Sequence, residues 1–401
     1  MGVSMRLLLF ALAALAAAQP PAPRIDAAFP GGNIIVESID GDRVALRQDL
    51  RDTQGHWFYW AFRVRDAGGR RLTFRFTNGN VIGVRGPAVS LDEGLHWSWL
   101  GAGSVQSAAF TYAFPPDAAS VRFAMAIPYQ QADLERFLAR AASRRYLRAD
   151  TLCRSRKGRS VELLHAGALS GRSRYRVLLT ARHHSCESLA SYVLEGLLDA
   201  VASGAEGGWL RRNVEFLAVP FLDKDGVEDG DQGKNRRPRD HNRDYAGESL
   251  YPEVRALREL APRWSAGKLR VALDLHCPTL RGPENESIYF VGTPNAKVWE
   301  HLLRLSSLLE RTQRGPLRFD PAANMPFGKS WNTAANTGAN KSFAMWAGEL
   351  PGIEVANTLE VAYASAHGRQ VDAASARALG ADLAGALRAY LDLHNPATVS
   401  P

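Results

Sequence analysis

Val177-Leu178-Leu179-Thr180-Ala181-Arg182-His183-His184-Ser185-Cys186-Glu187 is an apolar run that ends in imidazoles and a carboxylate. Val177 to Thr180 reads as a strand, and a second run, Val271 to His276, suits a central strand that stops at another His. Further strands are expected at Tyr175 to Thr180, Val214 to Val219, Leu269 to Leu275 and Ser287 to Val291. Helices are expected at Leu134 to Ser143, Ser188 to Ser203, Glu253 to Leu260, Lys297 to Arg311 and Ala373 to Leu393. Strands alternating with helices predict an α/β domain with a mostly parallel or mixed sheet flanked by helices. In such sheets ligands gather beyond the carboxyl ends of strands, where His184 and His276 both fall.

Upstream, residues 33 to 128 read as all-β. Runs such as Arg71-Leu72-Thr73-Phe74-Arg75-Phe76 and Val121-Arg122-Phe123-Ala124-Met125 alternate and are separated by Gly, Asp and Pro turns. No catalytic constellation lies there, so the clustered tryptophans read as core and domain-interface residues. The chain starts with Met5-Arg6, then an almost wholly apolar Leu7 to Ala18 that closes on Ala16-Ala17-Ala18. A basic start, an apolar stretch too short to span a bilayer and a small-residue end predict a secretory signal peptide over residues 1–18 and an exported, periplasmic or secreted protein. The expected domains are then an N-terminal β-sandwich, 19–130, and the α/β domain, 131–395. No stable membrane insertion is expected after cleavage.

Two imidazoles and a carboxylate form the ligand set of a hydrolytic zinc site that keeps one position open for water. His184-Ser185-Cys186-Glu187 supplies an HxxE, a weak signal alone, and His276 in Asp274-Leu275-His276 answers it. Arg236-Arg237-Pro238-Arg239-Asp240-His241-Asn242-Arg243-Asp244-Tyr245 offers Arg forks and an Asn amide, groups that hold a carboxylate. Glu360 is set into the apolar Asn357-Thr358-Leu359-Glu360-Val361-Ala362-Tyr363, where a buried carboxylate needs a metal, a partner or a task. His183 is one residue too early for the HxxE spacing and reads as packed or as a support to a ligand. His241 reads as an ordinary loop residue or a substrate contact.

The order HxxE, Asn-Arg, His, Glu resembles the M14 zinc carboxypeptidase family, over about two thirds of the chain from Leu134 to Leu391. The upstream Trp57-Phe58-Tyr59-Trp60-Ala61-Phe62, Trp97 and Ala126-Ile127-Pro128-Tyr129 resemble the β-sandwich that precedes the catalytic domain in its cytosolic carboxypeptidase-like subfamily. The resemblance implies one zinc ion held by His184, Glu187 and His276, with Glu360 as general base and proton shuttle. It implies Asn242 and Arg243 on the substrate's terminal carboxylate, Arg236 or the competing Arg237 on the scissile carbonyl, and Asp240 orienting the first His. Lys341, upstream of Glu360, becomes a candidate for a pocket that reads acidic side chains. Two departures stand out. The segment Asn332 to Asn357 holds no Tyr where the digestive enzymes carry a mobile one, and Ser185-Cys186 replaces the Pro-Gly common in the sandwich-bearing subfamily.

Other classes fit less well. The chain has 401 residues, 46% of them hydrophobic, which is ample for two cores. Its net charge of +8 is densest at Arg236 to Arg243 without interleaved aromatics, so nucleic acid is not expected as a partner. The expected partner is a peptide or protein C-terminus. Asp223-Lys224-Asp225-Gly226 and Glu228-Asp229-Gly230-Asp231 lack EF-hand spacing and predict a turn. Export admits either a Cys186–Cys277 disulfide or two buried thiols. Cell-wall stem-peptide hydrolysis and a non-catalytic peptide-binding protein remain the alternative functions at this stage.

Overall fold

The computed structural model describes residues 22–140, 145–204 and 207–393. The expected leader, residues 1–18, lies outside them. No helix among the described residues is long and apolar enough to cross a membrane.

The first part is a sandwich of two five-stranded sheets. One runs Arg24–Asp26, Ala61–Arg65, Ser120–Ala124, Ala88–Ser90, Ser98–Trp99, and the other Ile35–Asp40, Arg43–Arg47, Arg71–Phe76, Ala109–Ala113, Val105–Gln106. Strand alternation decides which side chains meet between them: in Arg71–Phe76, Leu72, Phe74 and Phe76 are buried while Arg71 and Arg75 are exposed. Trp60, Phe62, Phe74, Phe110 and Phe123 interlock there, with Phe74 and Phe110 at 4.9 Å and Phe62 and Phe123 at 5.4 Å between ring centres. The Trp60 indole donates to the Val81 carbonyl at 2.8 Å, so its polar edge is satisfied inside the core. These aromatics are core, as their pattern predicts.

The second part is a seven-stranded mixed sheet in the order Leu147–Arg154, Ser160–Gly167, Val214–Val219, Tyr175–Ala181, Leu269–His276, Val355–Val361, Ile288–Val291. The four strands from Val214–Val219 to Val355–Val361 are mutually parallel, and the outer pairings are antiparallel. Both faces are covered. Val177, Leu179, Val271 and Leu273 pack under the helices Ser188–Ala202 and Ala373–Asp392. Leu178, Ala272 and Ala356 pack on the opposite face with Val254 and Leu257 of the helix Pro252–Ser265. Burial on both faces explains why the central strands are continuous apolar runs. The helix Ala373–Asp392 begins on a capping box, in which Asp372 Oδ1 accepts from Ser375 N and Ser375 Oγ from Asp372 N, each at 2.8 Å.

Three sequence expectations are adjusted. The hairpin Leu147–Arg154 and Ser160–Gly167 was not expected. The helix Pro252–Ser265 runs past Pro262 rather than ending at Leu260. The predicted turn at Asp223 is a short helix, Lys224–Asp229, capped by the Asp223 side chain on Gly226 N at 3.0 Å.

The two parts are tied beside the Arg-rich loop. Gln232 clamps the Tyr59 backbone, accepting from its N at 2.6 Å and donating to its O at 2.8 Å. Asn33 donates to the Gly230 carbonyl at 2.6 Å, and Arg51 pairs with Asp231 at 2.5 Å.

Candidate metal centre

The parallel register brings the chemistry to one end of the sheet. His276 ends its strand opposite Glu360 in the next, and Tyr289 lies opposite Glu360 on the other side. His184 and Glu187 follow the neighbouring strand, in a turn held by the fully buried Arg182. Arg182 Nε donates to the Ser185 carbonyl at 2.9 Å and Nη1 to the Tyr129 carbonyl at 2.8 Å, so this side chain shapes the ligand turn. Sequence reading passed over Arg182, because a buried guanidinium serving backbone carbonyls carries no local signature.

His184, Glu187 and His276 converge. His184 Nδ1 is 2.9 Å from Glu187 Oε1, His276 Nδ1 is 2.7 Å from Glu187 Oε2, and the two Nδ1 atoms are 3.2 Å apart. A tetrahedral ion with bonds near 2.05 Å has ligand edges of about 3.3 Å. The spacing therefore fits one small ion on these three residues. Glu187 Oε2 is buried with the His276 ring, another member of the trio, as its close polar neighbour, so an ion between them would take the place of that contact. A carboxylate stands behind each ring, within hydrogen-bond distance only at His276. His276 Nε2 lies 2.5 Å from Asp274 Oδ2, and His184 Nε2 lies 3.8 Å from Asp240 Oδ1. Carboxylates behind ligand imidazoles fix ring orientation and raise basicity. Asp240 faces the His184 ring without a hydrogen bond to it and is anchored by Asn235 N at 3.1 Å.

A second trio, His183, Asp274 and His276, shares His276 with the first. Both His183 nitrogens are engaged, Nδ1 with Asp274 Oδ1 at 2.7 Å and Nε2 with the Tyr245 hydroxyl at 2.8 Å. His183 is therefore a support for Asp274. His241 is buried and stacked on Tyr251 at 3.6 Å, away from the cavity lining.

The local electrostatics are set by burial and by close opposite charges. Burial depresses His184, whereas Asp274 and Glu187 together outweigh the burial of His276 and raise it. Burial works against the Glu187 carboxylate, yet Lys234 and the two imidazoles hold it well below its usual range. Burial pushes Glu360 up to about 7. Its Oε2 is buried without a hydrogen bond and the residue lines a cavity of about 600 Å³ with His184, His276, Asn242 and Arg243.

Around this cavity the structure separates the expected substrate residues. Asn242 Oδ1 accepts from Phe343 N at 2.9 Å, which fixes the amide and sets Nδ2 3.4 Å from His276 Nε2. Arg243 lines the cavity and is steadied by the Asn336 and Asn242 carbonyls at 3.3 and 3.1 Å. Arg236 also borders the cavity, but its guanidinium is committed: Nε is 2.8 Å from Asp52, Nη1 2.6 Å from Asp223 and Nη2 2.7 Å from Asp231. That corrects the expectation of a free carbonyl-polarising Arg236. Arg237 is exposed and outside the lining. Lys341 pairs with Glu349 at 2.6 Å and is also outside it, because the strong local carboxylate draws the ammonium away. Lys234, not singled out from sequence, lines the cavity with Nζ 2.6 Å from Glu187 Oε1. Cys153, Cys186 and Cys277 are free thiols, so the disulfide alternative is not realised.

No protein-family profile matches the chain. Over 238 residues it is 33% identical to cytosolic carboxypeptidase 2 of Xenopus tropicalis, a match covering 50% of this chain and 24% of that protein. It is 29% identical over 205 residues to the human cytosolic carboxypeptidase 2, covering 48% and 22%. The chain thus spans about a quarter of the length of these curated relatives. A metallo-carboxypeptidase from Burkholderia cenocepacia superposes with a TM-score of 0.77 at 21% identity, over 93% of this chain and 100% of that one. A metallo-carboxypeptidase from Pseudomonas aeruginosa, in complex with (2-guanidinoethylmercapto)succinic acid, gives 0.71 at 21% identity over 92% and 99%. The shared fold therefore includes both the sandwich and the α/β domain.

Proposed function

We propose, for a chain related in sequence to the cytosolic carboxypeptidases and built on the metallo-carboxypeptidase fold, that it hydrolyses the C-terminal peptide bond of peptides or flexible protein tails. The observation that carries this reading is the convergence of His184, Glu187 and His276 beside the unpartnered carboxyl of Glu360 in one cavity. Zinc on the three ligands would lower the pKa of bound water towards ~7 and so supply hydroxide at neutral pH.

The chain's own residues do the rest. Arg243, with a planar fork, and the Asn242 amide, both in the cavity wall, would take the substrate's terminal carboxylate, which would set the last peptide bond against the metal ligands. Glu360 takes a proton from the attacking water and returns it to the leaving nitrogen. Burial disfavours the charged form of this carboxyl, which helps it to take up a proton as well as to give one back. Asp274 keeps the His276 ring in register, so Asp274→Asn is expected to weaken zinc affinity by about 10–100-fold, measured by competition with a chelating dye. An unchanged affinity would remove Asp274 from that role.

The direct test is mass spectrometry of a peptide mixture incubated with the zinc-loaded protein and with Glu360→Gln. Stepwise loss of C-terminal residues by the wild type alone supports the reading, and no shortening in either sample sinks it. The same assay addresses Lys341. Because its ammonium sits on Glu349, Lys341→Glu is expected to leave the pattern of residues released unchanged. A switch in that pattern would restore Lys341 to the pocket. We also propose export, on the strength of Leu7 to Ala18 after Met5-Arg6. Cell fractionation should recover the protein outside the cytoplasm with its N-terminus just beyond Ala18.

A further inference from the structure

Hydrolysis of an amide puts a full negative charge on the carbonyl oxygen, and the proposed peptidase reading requires a group to meet it. Three of the cleft's arginines are already engaged. Arg236 faces three carboxylates, and freeing the edge that holds Asp223 would strand that buried group. Arg239 is held by Asp244 at 2.6 Å and by the Glu248 carbonyl at 2.6 Å. Arg243, steadied by the Asn336 and Asn242 carbonyls, is taken up by the substrate's terminal carboxylate in the reading above.

Lys234 stands differently. Its Nζ is 2.6 Å from Glu187 Oε1 and 3.5 Å from the Cys277 carbonyl, and it lies 5.1 Å from the centre of the Trp57 ring. An ammonium carries three N–H donors, so these two acceptors leave one for the cavity that Lys234 lines with His184, His276 and Glu360. The side chain is only 10% exposed, and its backbone is fixed on both sides. Upstream, Gln232 is clamped to Tyr59, and Gly233 has a φ of 72° and no room for a side chain, since an added Cβ would lie 2.2 Å from Ser185 N. Downstream, Asn235 N donates to Asp240 at 3.1 Å and Asn235 Nδ2 to the Gln54 carbonyl at 2.9 Å. The loop that delivers the cation is thus pressed against the loop that carries the ligands.

We propose that Lys234 is the oxyanion residue of this cleft, polarising the scissile carbonyl in place of an arginine. Resting on the peptidase reading above, the step balances as follows. The oxygen of water forms a bond to the carbonyl carbon while its proton passes to Glu360, and the carbonyl π pair moves onto the oxygen within reach of the Lys234 ammonium. When that pair re-forms the double bond, the C–N bond breaks and the nitrogen leaves with the proton from Glu360. A donor fixed in advance where charge develops costs no reorganisation during the reaction.

The test compares zinc-loaded wild type, Lys234→Met and Lys234→Arg on one C-terminal peptide. It also measures each protein's affinity for a tetrahedral phosphonate analogue of that peptide and for the shortened product. Lys234→Met is expected to lose about 10²–10³-fold in kcat with little change in KM, and Lys234→Arg to recover part of it. Phosphonate affinity should fall in step with kcat/KM while zinc content and product affinity hold. A Lys234→Met enzyme with wild-type kcat overturns the assignment. So does one that loses zinc, phosphonate and product together, which would make Lys234 a structural partner of Glu187. A wild type that releases no residue at all overturns the peptidase reading itself, a result distinct from either.

Discussion

Glu360→Gln is expected to lower kcat by about 10²–10⁴-fold while the protein still binds one zinc ion per chain. Glutamine matches the carboxyl in shape and cannot accept a proton. Its neighbours His276 and Tyr289 are set by strand register, which the substitution leaves intact. The pH dependence follows from the same burial. In the cation-free protein the carboxyl is pushed up to about 7, and a dication on the adjacent ligands would pull it lower. A base works only when ionised, so activity should fall as pH drops through an acid limb below 7. The stability sign is the reverse. A carboxyl raised above its unfolded value costs the fold stability as pH rises past that value, so metal-free Glu360→Gln should be the more stable protein above pH 7. Stopped-assay kinetics from pH 5 to 9, with metal analysis of the same samples, decides the catalytic part. Retained turnover in Glu360→Gln would remove Glu360 from proton transfer.

How far the site could be read from sequence depended on the kind of signal each residue carried. His184, Glu187, His276 and Glu360 are polar residues at the ends of apolar strands, a pattern visible in one dimension. The sheet order then places all four at one end. The hairpin Leu147–Arg154 and Ser160–Gly167 escaped because Leu147–Arg154 is an outer strand whose exposed Arg148, Asp150 and Thr151 blur the alternation. The helix Pro252–Ser265 was cut short at Leu260 because Pro262 reads as a stop. Lys234 and Arg236 sit two residues apart in a basic run, and nothing local distinguishes their tasks. What separates them is distant: Asp52 comes from the sandwich and Asp223 from the end of the strand Val214–Val219, and together with Asp231 they claim Arg236. Glu187 claims Lys234. A bidentate fork suited to carboxylates was read as a substrate contact, when the carboxylates it holds belong to the protein.

Arg236→Met should therefore behave as a structural lesion. Removing the guanidinium leaves the buried Asp223 without its ion-pair partner, while the half-buried Asp231 keeps Arg51, and breaking a buried pair from one side costs about 3–5 kcal/mol. Burial works against the Asp223 carboxylate, and Arg236 and His241 more than offset it, holding the group below its usual range. A lowered carboxylate contributes stability above its unfolded pKa and loses it as pH falls through the folded one. The deficit of Arg236→Met should accordingly be full at pH 7 and shrink towards pH 3. Urea unfolding at both values measures this directly. Because the Arg236 loop also carries Asn242 and touches Asp52 across the domain junction, loosening it should raise KM for the C-terminal peptide more than it lowers kcat. In the zinc-loaded protein, where the metal would still pair with Glu187, Lys234→Met is expected to do the opposite, with a large loss in kcat and little change in KM. If instead Arg236→Met kept full stability and lost about 10³-fold in kcat, the sequence resemblance would have placed the oxyanion residue correctly and the three carboxylates would be a resting arrangement that substrate displaces.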